Sequence, residues 1–163
     1  MNVQSLDAVL TAADDARIRD LWSRLQDAGL PSRGDHRSFS NRPHLTLTSA
    51  PTLPPACIRY AESLADRLPL TFPVAGLRFF ETSNIAHLLL TADGWLDNEV
   101  RELRERSQDP HRDRPWTPHI TLSGRLLPPQ ATRAREVLID VPGEVTLVGI
   151  THWDPQTQRV RPI

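Results

Sequence analysis

The sequence predicts an α+β fold of two similar lobes, each an antiparallel sheet with helices packed outside. Three observations carry that prediction. Apolar spacing switches repeatedly between the strand period of two and the helical period of about 3.6. A five-residue pattern of His, apolar, hydroxyl, apolar, hydroxyl occurs twice, as His44-Leu45-Thr46-Leu47-Thr48 and as His119-Ile120-Thr121-Leu122-Ser123. The two histidines stand 75 positions apart in a chain of 163, close to half its length. Two pseudo-twofold-related lobes with the motif strands facing a shared central cleft is the economical arrangement.

Taken in order, residues 6–10 read as a first strand. Residues 12–28 carry Ile18, Leu21, Trp22 and Leu25 at helical spacing, opened by Asp14 and Asp15 and closed by Gly29 and Pro31. Residues 32–41 are polar and form a loop feeding the first motif strand. After Pro51 to Pro55, a second helix to about Leu68 buries Ile58, Ala61, Leu64 and Ala65. Residues 70–82 and 85–91 form a hairpin with its turn at Ser83-Asn84. A third helix spans about 95–106, and an arginine-rich loop at 108–115 delivers the second motif strand. Pro128 and Pro129 open a fourth helix to Leu138, and residues 144–153 and 159–163 form a closing hairpin. No composition boundary divides the chain, so a single domain over 1–163 is expected.

Composition narrows the function. The net charge of −1 supplies no field to gather a polynucleotide. All 19 basic residues are arginine, which removes lysine nucleophiles, Schiff bases, lysyl-adenylates and the lysine of a phosphate-binding loop. No apolar run approaches the roughly 20 residues of a membrane span. The N-terminal residues lack a basic stretch followed by an apolar one, so no secretory leader is expected. One cysteine, Cys57, fits a reducing cytoplasm. Cys57 reads as packed rather than nucleophilic, with nothing nearby to activate it.

The motifs carry the chemistry. Along an ideal strand, His44, Thr46 and Thr48 share one face and Leu45 and Leu47 the other; the second copy repeats this with His119, Thr121 and Ser123. Each copy follows a proline, Pro43 or Pro118. A pair of imidazoles suits acid–base catalysis near neutral pH, one taking a proton while the other gives one. The hydroxyl two residues on lies about 7 Å along the strand, the span of one tetrahedral anion. Thr46 and Thr121 are therefore placed to donate to phosphate oxygens. Thr48 and Ser123, about 13 Å along, suit supporting roles: ordering the strand or reaching a sugar. Neither motif strand supplies the further ligand that zinc would need beside the histidines, and no metal is expected.

The paired motifs resemble the H-x-[ST]-x-[ST] signature of the 2H phosphoesterase superfamily, which includes 2′-5′ RNA ligase-like proteins and cyclic nucleotide phosphodiesterases. The order of elements is similar over most of the chain, while the specific residues are confined to the motifs. The resemblance implies a bilobal α+β fold and cofactor-free, metal-independent chemistry. It implies His44 and His119 as the acid–base pair, with Thr46 and Thr121 binding phosphate. It also implies a small nucleotide or RNA end bearing a 2′,3′-cyclic phosphate or 2′-5′ linkage as partner, as in RNA processing. Gly124 intervenes before Arg125, where some RNA-directed members carry a basic residue directly after the motif. With the slightly negative charge, this favours small cyclic phosphates over long RNA.

Arg42 and Arg114, just upstream of the motifs, and Arg125, just after, are candidate phosphate partners. Trp116 could stack a base, though packing at the strand entrance is the simpler reading; Phe39 is similar. His36 and His111 read as exposed loop residues, His87 as a satisfied core histidine, and His152 has no evident partner. A monomer without membrane contact is expected. The alternative is a module on the same fold that binds a nucleotide or RNA end without catalysis.

Overall fold

The computed structural model describes residues 2–163. Its elements run β1 (Gln4–Leu10), α1 (Ala12–Asp27), β2 (His44–Ala50), α2 (Pro55–Ala65), β3 (Leu70–Phe79), β4 (Ala86–Leu90), α3 (Gly94–Ser107), β5 (His119–Thr121), α4 (Pro128–Val137), β6 (Glu144–Asp154) and β7 (Arg159–Pro162). The order β–α–β–α–β thus occurs twice, from β1 to β3 and from β4 to β6. Helix ends follow local chemistry. Thr11 caps α1 by accepting from Asp14 N (3.2 Å), and Asp93 caps α3 by accepting from Leu96 N (2.8 Å). Prolines open α2 and α4.

The strands form one open antiparallel sheet in the order β2-β1-β6-β3-β4-β5, with β7 paired to β6 beyond that path. β1 pairs with β2 and β6, and β4 pairs with β5 and β3. The long β6 joins the halves by pairing β3 through Val145 and Leu147. The motif strands β2 and β5 stand at opposite ends of this order, yet they come into contact.

Two tryptophans fasten that closure. Trp22 of α1 donates from Nε1 to the Thr121 carbonyl, and Trp116 donates to the Thr46 carbonyl, both at 3.1 Å. Helix α3, from the second half, packs on β2 of the first. Each motif strand is therefore braced by the other half of the chain.

Behind the motifs, Leu45, Leu47, Ile120 and Leu122 are at most 2% exposed. At ~1.5–3 kcal/mol for each buried side chain, these four alone make a one-residue slip in either motif strand prohibitive. The strict alternation expected for β2 fails at one place. Leu6 opposes Thr48 and Asp7 opposes Thr46, so Leu47 is an inserted residue, a β-bulge. Leu47 and Thr48 consequently both turn inward. The second copy behaves alike: Leu122 N and Ser123 N both donate to the Ala86 carbonyl, and Ser123 is buried. Thr48 and Ser123 are thereby moved off the polar face that simple alternation assigns them.

Candidate active site

His44 and His119 head their strands in matching settings. His44 Nδ1 lies 2.7 Å from the Arg42 carbonyl and His119 Nδ1 2.7 Å from the Thr117 carbonyl. A carbonyl only accepts, so each Nδ1 carries the proton and each Nε2 is left with a lone pair. A proline follows each of those carbonyl residues, Pro43 after Arg42 and Pro118 after Thr117, and disfavours helical backbone there. Burial lowers the His119 pKa below 6.5 against the contrary pull of the Thr117 carbonyl, and the positive form of His44 lowers it further.

The neighbouring strands add two groups that the motifs do not reveal. Opposite Thr46, β1 presents Asp7, which accepts from Thr46 Oγ1 (2.9 Å) and Ser5 Oγ (2.7 Å). Opposite Thr121, β4 presents His87. His87 stacks on Phe80 with ring centroids 4.0 Å apart, and it meets His119 edge-on at 5.3 Å; Phe80 also meets His119 edge-on at 5.0 Å. His87 is a satisfied core histidine, 3% exposed with Nδ1 3.2 Å from the Ile85 carbonyl, and its ring also packs against His119. Its own pKa is lowered mainly by burial, and also by His119 and Arg78. Only strand register brings Asp7 and His87 to the motifs, so spacing within the sequence gives no sign of them.

A cavity of about 530 Å³ opens on the His44 side. Its floor is Asp7, His44 and Thr46, with Arg42 and Phe39 in the loop wall and Trp153 on β6. His119 and Thr121 lie outside that lining. Phe39 is 94% exposed at the rim. Arg42 leans toward Asp15, 3.8 Å away, while Arg114 and Arg125 are exposed and outside the cavity lining. Trp116 donates its indole N–H to β2 and packs, partly buried, against the core.

Thr48 and Ser123 cannot reach a ligand. Thr48 shares a buried network with Ser107 (2.7 Å) and Asp109 (3.1 Å), and Ser123 accepts from Ala86 N (2.8 Å). Both are 1% exposed, and these bonds tie the ends of the motif strands to neighbouring segments. His152 does have a partner, Gln4 Oε1 at 3.0 Å. Cys57 is buried, and burial pushes its thiol pKa up, the reverse of activation. Among the described residues no three His, Cys, Asp or Glu side chains are grouped to hold a metal.

No family model and no curated protein matches the chain. Solved structures do. E. coli LigT complexed with NADP+ superposes over 99% of this chain and 94% of its own, with a TM-score of 0.62 and 20% identity. The chain has the LigT fold. TT0787 of Thermus thermophilus matches over 100% of this chain and 95% of its own (TM-score 0.60, 18% identity), and Kluyveromyces marxianus Usb1 over 99% and 98% (TM-score 0.56, 9% identity). On this fold the two motif strands, at opposite ends of the sheet order, come into contact.

Burial of neutral imidazoles gives the fold a pH signature. His87, His119 and His152 all have lowered pKa values, burial being the first cause in each. The unfolded chain binds protons near pH 6.5 that the native state resists, so stability present above that pH is lost as pH falls through it. Urea midpoints should be lower at pH 5.5 than at 7.5. Equal midpoints would show that these rings protonate as readily folded as unfolded.

Proposed function

We propose that this protein is a metal-independent 2H phosphoesterase that opens 2′,3′-cyclic phosphates, or cleaves related 2′-5′ phosphodiesters, of small nucleotides or RNA ends. The observation that carries this reading is the matched pair of histidines, each with Nδ1 tied to the carbonyl two residues back and Nε2 free for proton transfer. The nucleotide ligands of E. coli LigT, NADP+, ATP and 3′-AMP among them, support a nucleotide-type ligand. The cavity of about 530 Å³ on the His44 side has room for a nucleoside, which supports a leaving ribose oxygen beside His44.

The reaction then follows. His119, whose neutral form is favoured by burial, takes a proton from water through Nε2 as the water oxygen bonds to phosphorus. His44, protonated at Nε2, gives that proton to the ribose oxygen as its bond to phosphorus breaks. Thr121 can donate to a phosphate oxygen, whereas Thr46 does so only by releasing Asp7. No cofactor takes part, and the chain acts as a monomer in the cytoplasm.

Turnover of 2′,3′-cyclic nucleotides in excess chelator, followed from pH 5 to 9, tests this. A bell-shaped, chelator-resistant rate is expected, with its acid limb below pH 6.5 because the His119 pKa is lowered. Tight nucleotide binding with no turnover over that range would replace the enzyme by a binding module.

A further inference from the structure

The 530 Å³ cavity differs in charge from the chain that surrounds it. Arg33 and Arg42 both line it, and Asp7 is the one carboxylate in that lining. With the lining histidines neutral, two guanidiniums against one carboxylate leave the cavity at +1, whereas the whole chain carries −1. Asp7 stands on β1, where its carboxylate accepts from the hydroxyls of Ser5 and Thr46. The arginines come instead from residues 33–42, the segment that feeds the first motif strand.

Neither arginine is hydrogen-bonded to an acidic partner. Arg33 is only partly exposed, yet among the described residues no carboxylate lies within 4.0 Å of it. Arg42 has Asp15 at 3.8 Å, but Arg42 Nε and Asp15 Oδ2 are both buried and both without a hydrogen-bond partner. The segment itself is held in place. Asn41 donates from Nδ2 to the carbonyls of Arg33 (2.9 Å) and His36 (3.0 Å), and Ser32 N donates to Asp35 Oδ2 (2.8 Å) across the turn that carries Arg33. Each guanidinium offers five N–H donors in a planar fork that matches phosphate oxygens. Bracing the backbone beneath them lowers the ordering cost of binding an anion there. The second half has no counterpart: in the loop before its motif, Arg112 reaches Glu105 (3.9 Å) and the Asp109 carbonyl (3.3 Å), and Arg114 is outside the cavity lining.

We infer that Arg33 and Arg42 bind a second phosphate, separate from the scissile one that sits between the two motif strands. This rests on the phosphoesterase reading and names its substrate class: a nucleoside cyclic phosphate that also carries a phosphate at its 5′ position. The cyclic phosphate stays between His44 and His119, the nucleoside fills the cavity, and its 5′ end meets the arginines of the loop wall. Because the two arginines stand on the His44 side alone, they also fix which way the nucleotide lies, a choice that two alike motifs cannot make. The second phosphate has two sources with the same anionic oxygens. One is the 5′-phosphate of a small nucleotide, and the other is the diester that joins a terminal nucleotide to an RNA.

Titration calorimetry on the full chain tests this, with adenosine 3′-phosphate and adenosine 3′,5′-bisphosphate as the probes. The wild type should bind the bisphosphate ~10-fold tighter or better, the scale of one charge-assisted hydrogen bond. In Arg33→Gln and in Arg42→Gln that ratio should fall toward one. Both probes are read on the same variant, so a partly unfolded sample leaves the ratio intact. A third probe, adenylyl-(3′→5′)-adenosine 3′-phosphate, separates the sources. Affinity equal to that of the bisphosphate assigns the subsite to an RNA end, and affinity no better than that of the monophosphate assigns it to a small nucleotide. Equal affinities for the first two probes in the wild type, with turnover of 2′,3′-cyclic nucleotides intact, overturn the second subsite alone. A ratio that neither substitution moves overturns it as well. Absence of binding by every probe, together with absence of turnover, would instead bring down the phosphoesterase reading, and the second subsite with it.

Discussion

His44→Ala and His119→Ala should each lower kcat on a 2′,3′-cyclic nucleotide by about 10²–10⁴-fold, the usual worth of one general acid or base. Both rings are only partly buried, and each gives up a single hydrogen bond, to the carbonyl of Arg42 or Thr117. Thermal unfolding should therefore change little, which separates loss of chemistry from loss of fold. Asparagine makes the sharper probe. Its side-chain amide can still donate to that carbonyl, yet it cannot exchange a proton near neutral pH. His119→Asn should be as inactive as His119→Ala if proton transfer is the ring's task. An active asparagine variant would mean that the histidine only positions the strand. Because the two rings act as a unit, the double variant should lose far less than the product of the single losses. Near-wild-type turnover in either single variant would end the two-histidine mechanism.

Much of the fold was legible because local chemistry and long-range packing agree. Pro55 and Pro128 start α2 and α4 where the sequence opens its second and fourth helices, and Asp14 and Asp15 stand in the first turn of α1. Asn84 takes a positive φ of 53° in the turn between β3 and β4, where the sequence places the hairpin bend. The repeat was visible for the same reason, since each motif joins an apolar back to a hydroxyl-rich front. What the sequence could not reveal depends on register. The bulge at Leu47 is one extra residue among alternating leucines and threonines, and nothing in that run marks where pairing slips. That one residue turns Thr48 from a ligand candidate into a core group. Asp7 and His87 sit in stretches that read as ordinary strands, and only the pairing of β1 with β2 and of β4 with β5 brings them to the motif threonines. Trp116 shows the reverse case, since its place just before a motif suggests a stacking surface while its indole N–H is committed to the Thr46 carbonyl.

Asp109→Ala should cost about 3–5 kcal/mol, the range for removing one partner of a buried ion pair. Asp109 and Arg104 are 4% and 6% exposed, with Arg104 Nε 3.7 Å from Asp109 Oδ2. The same carboxylate accepts from Thr48 Oγ1 (3.1 Å), Ser49 N (3.0 Å) and His111 N (2.8 Å). Alanine leaves the Ser49 and His111 N–H groups without this acceptor and the buried Arg104 charge without its counter-ion, though Arg104 keeps the Arg114 and His111 carbonyls and Thr48 keeps Ser107. Against a total stability of ~5–15 kcal/mol this is a large fraction, and the unfolding midpoint should fall by about 10 °C or more. Asp109→Asn retains one acceptor oxygen but not the charge, so it should fall between alanine and wild type. A loss under ~1 kcal/mol in the alanine variant would show that the pair is offset by its own desolvation and that β2 is held by its leucines alone. The effect should reach the site as well. Thr48 and Ser49 lie just beyond the bulge, and their bonds to Asp109 fasten that end of β2 to the turn that follows α3. His44 heads the same strand. Alanine at 109 should therefore blunt turnover even at temperatures where the chain stays folded, while leaving the pH profile of the remaining activity unmoved.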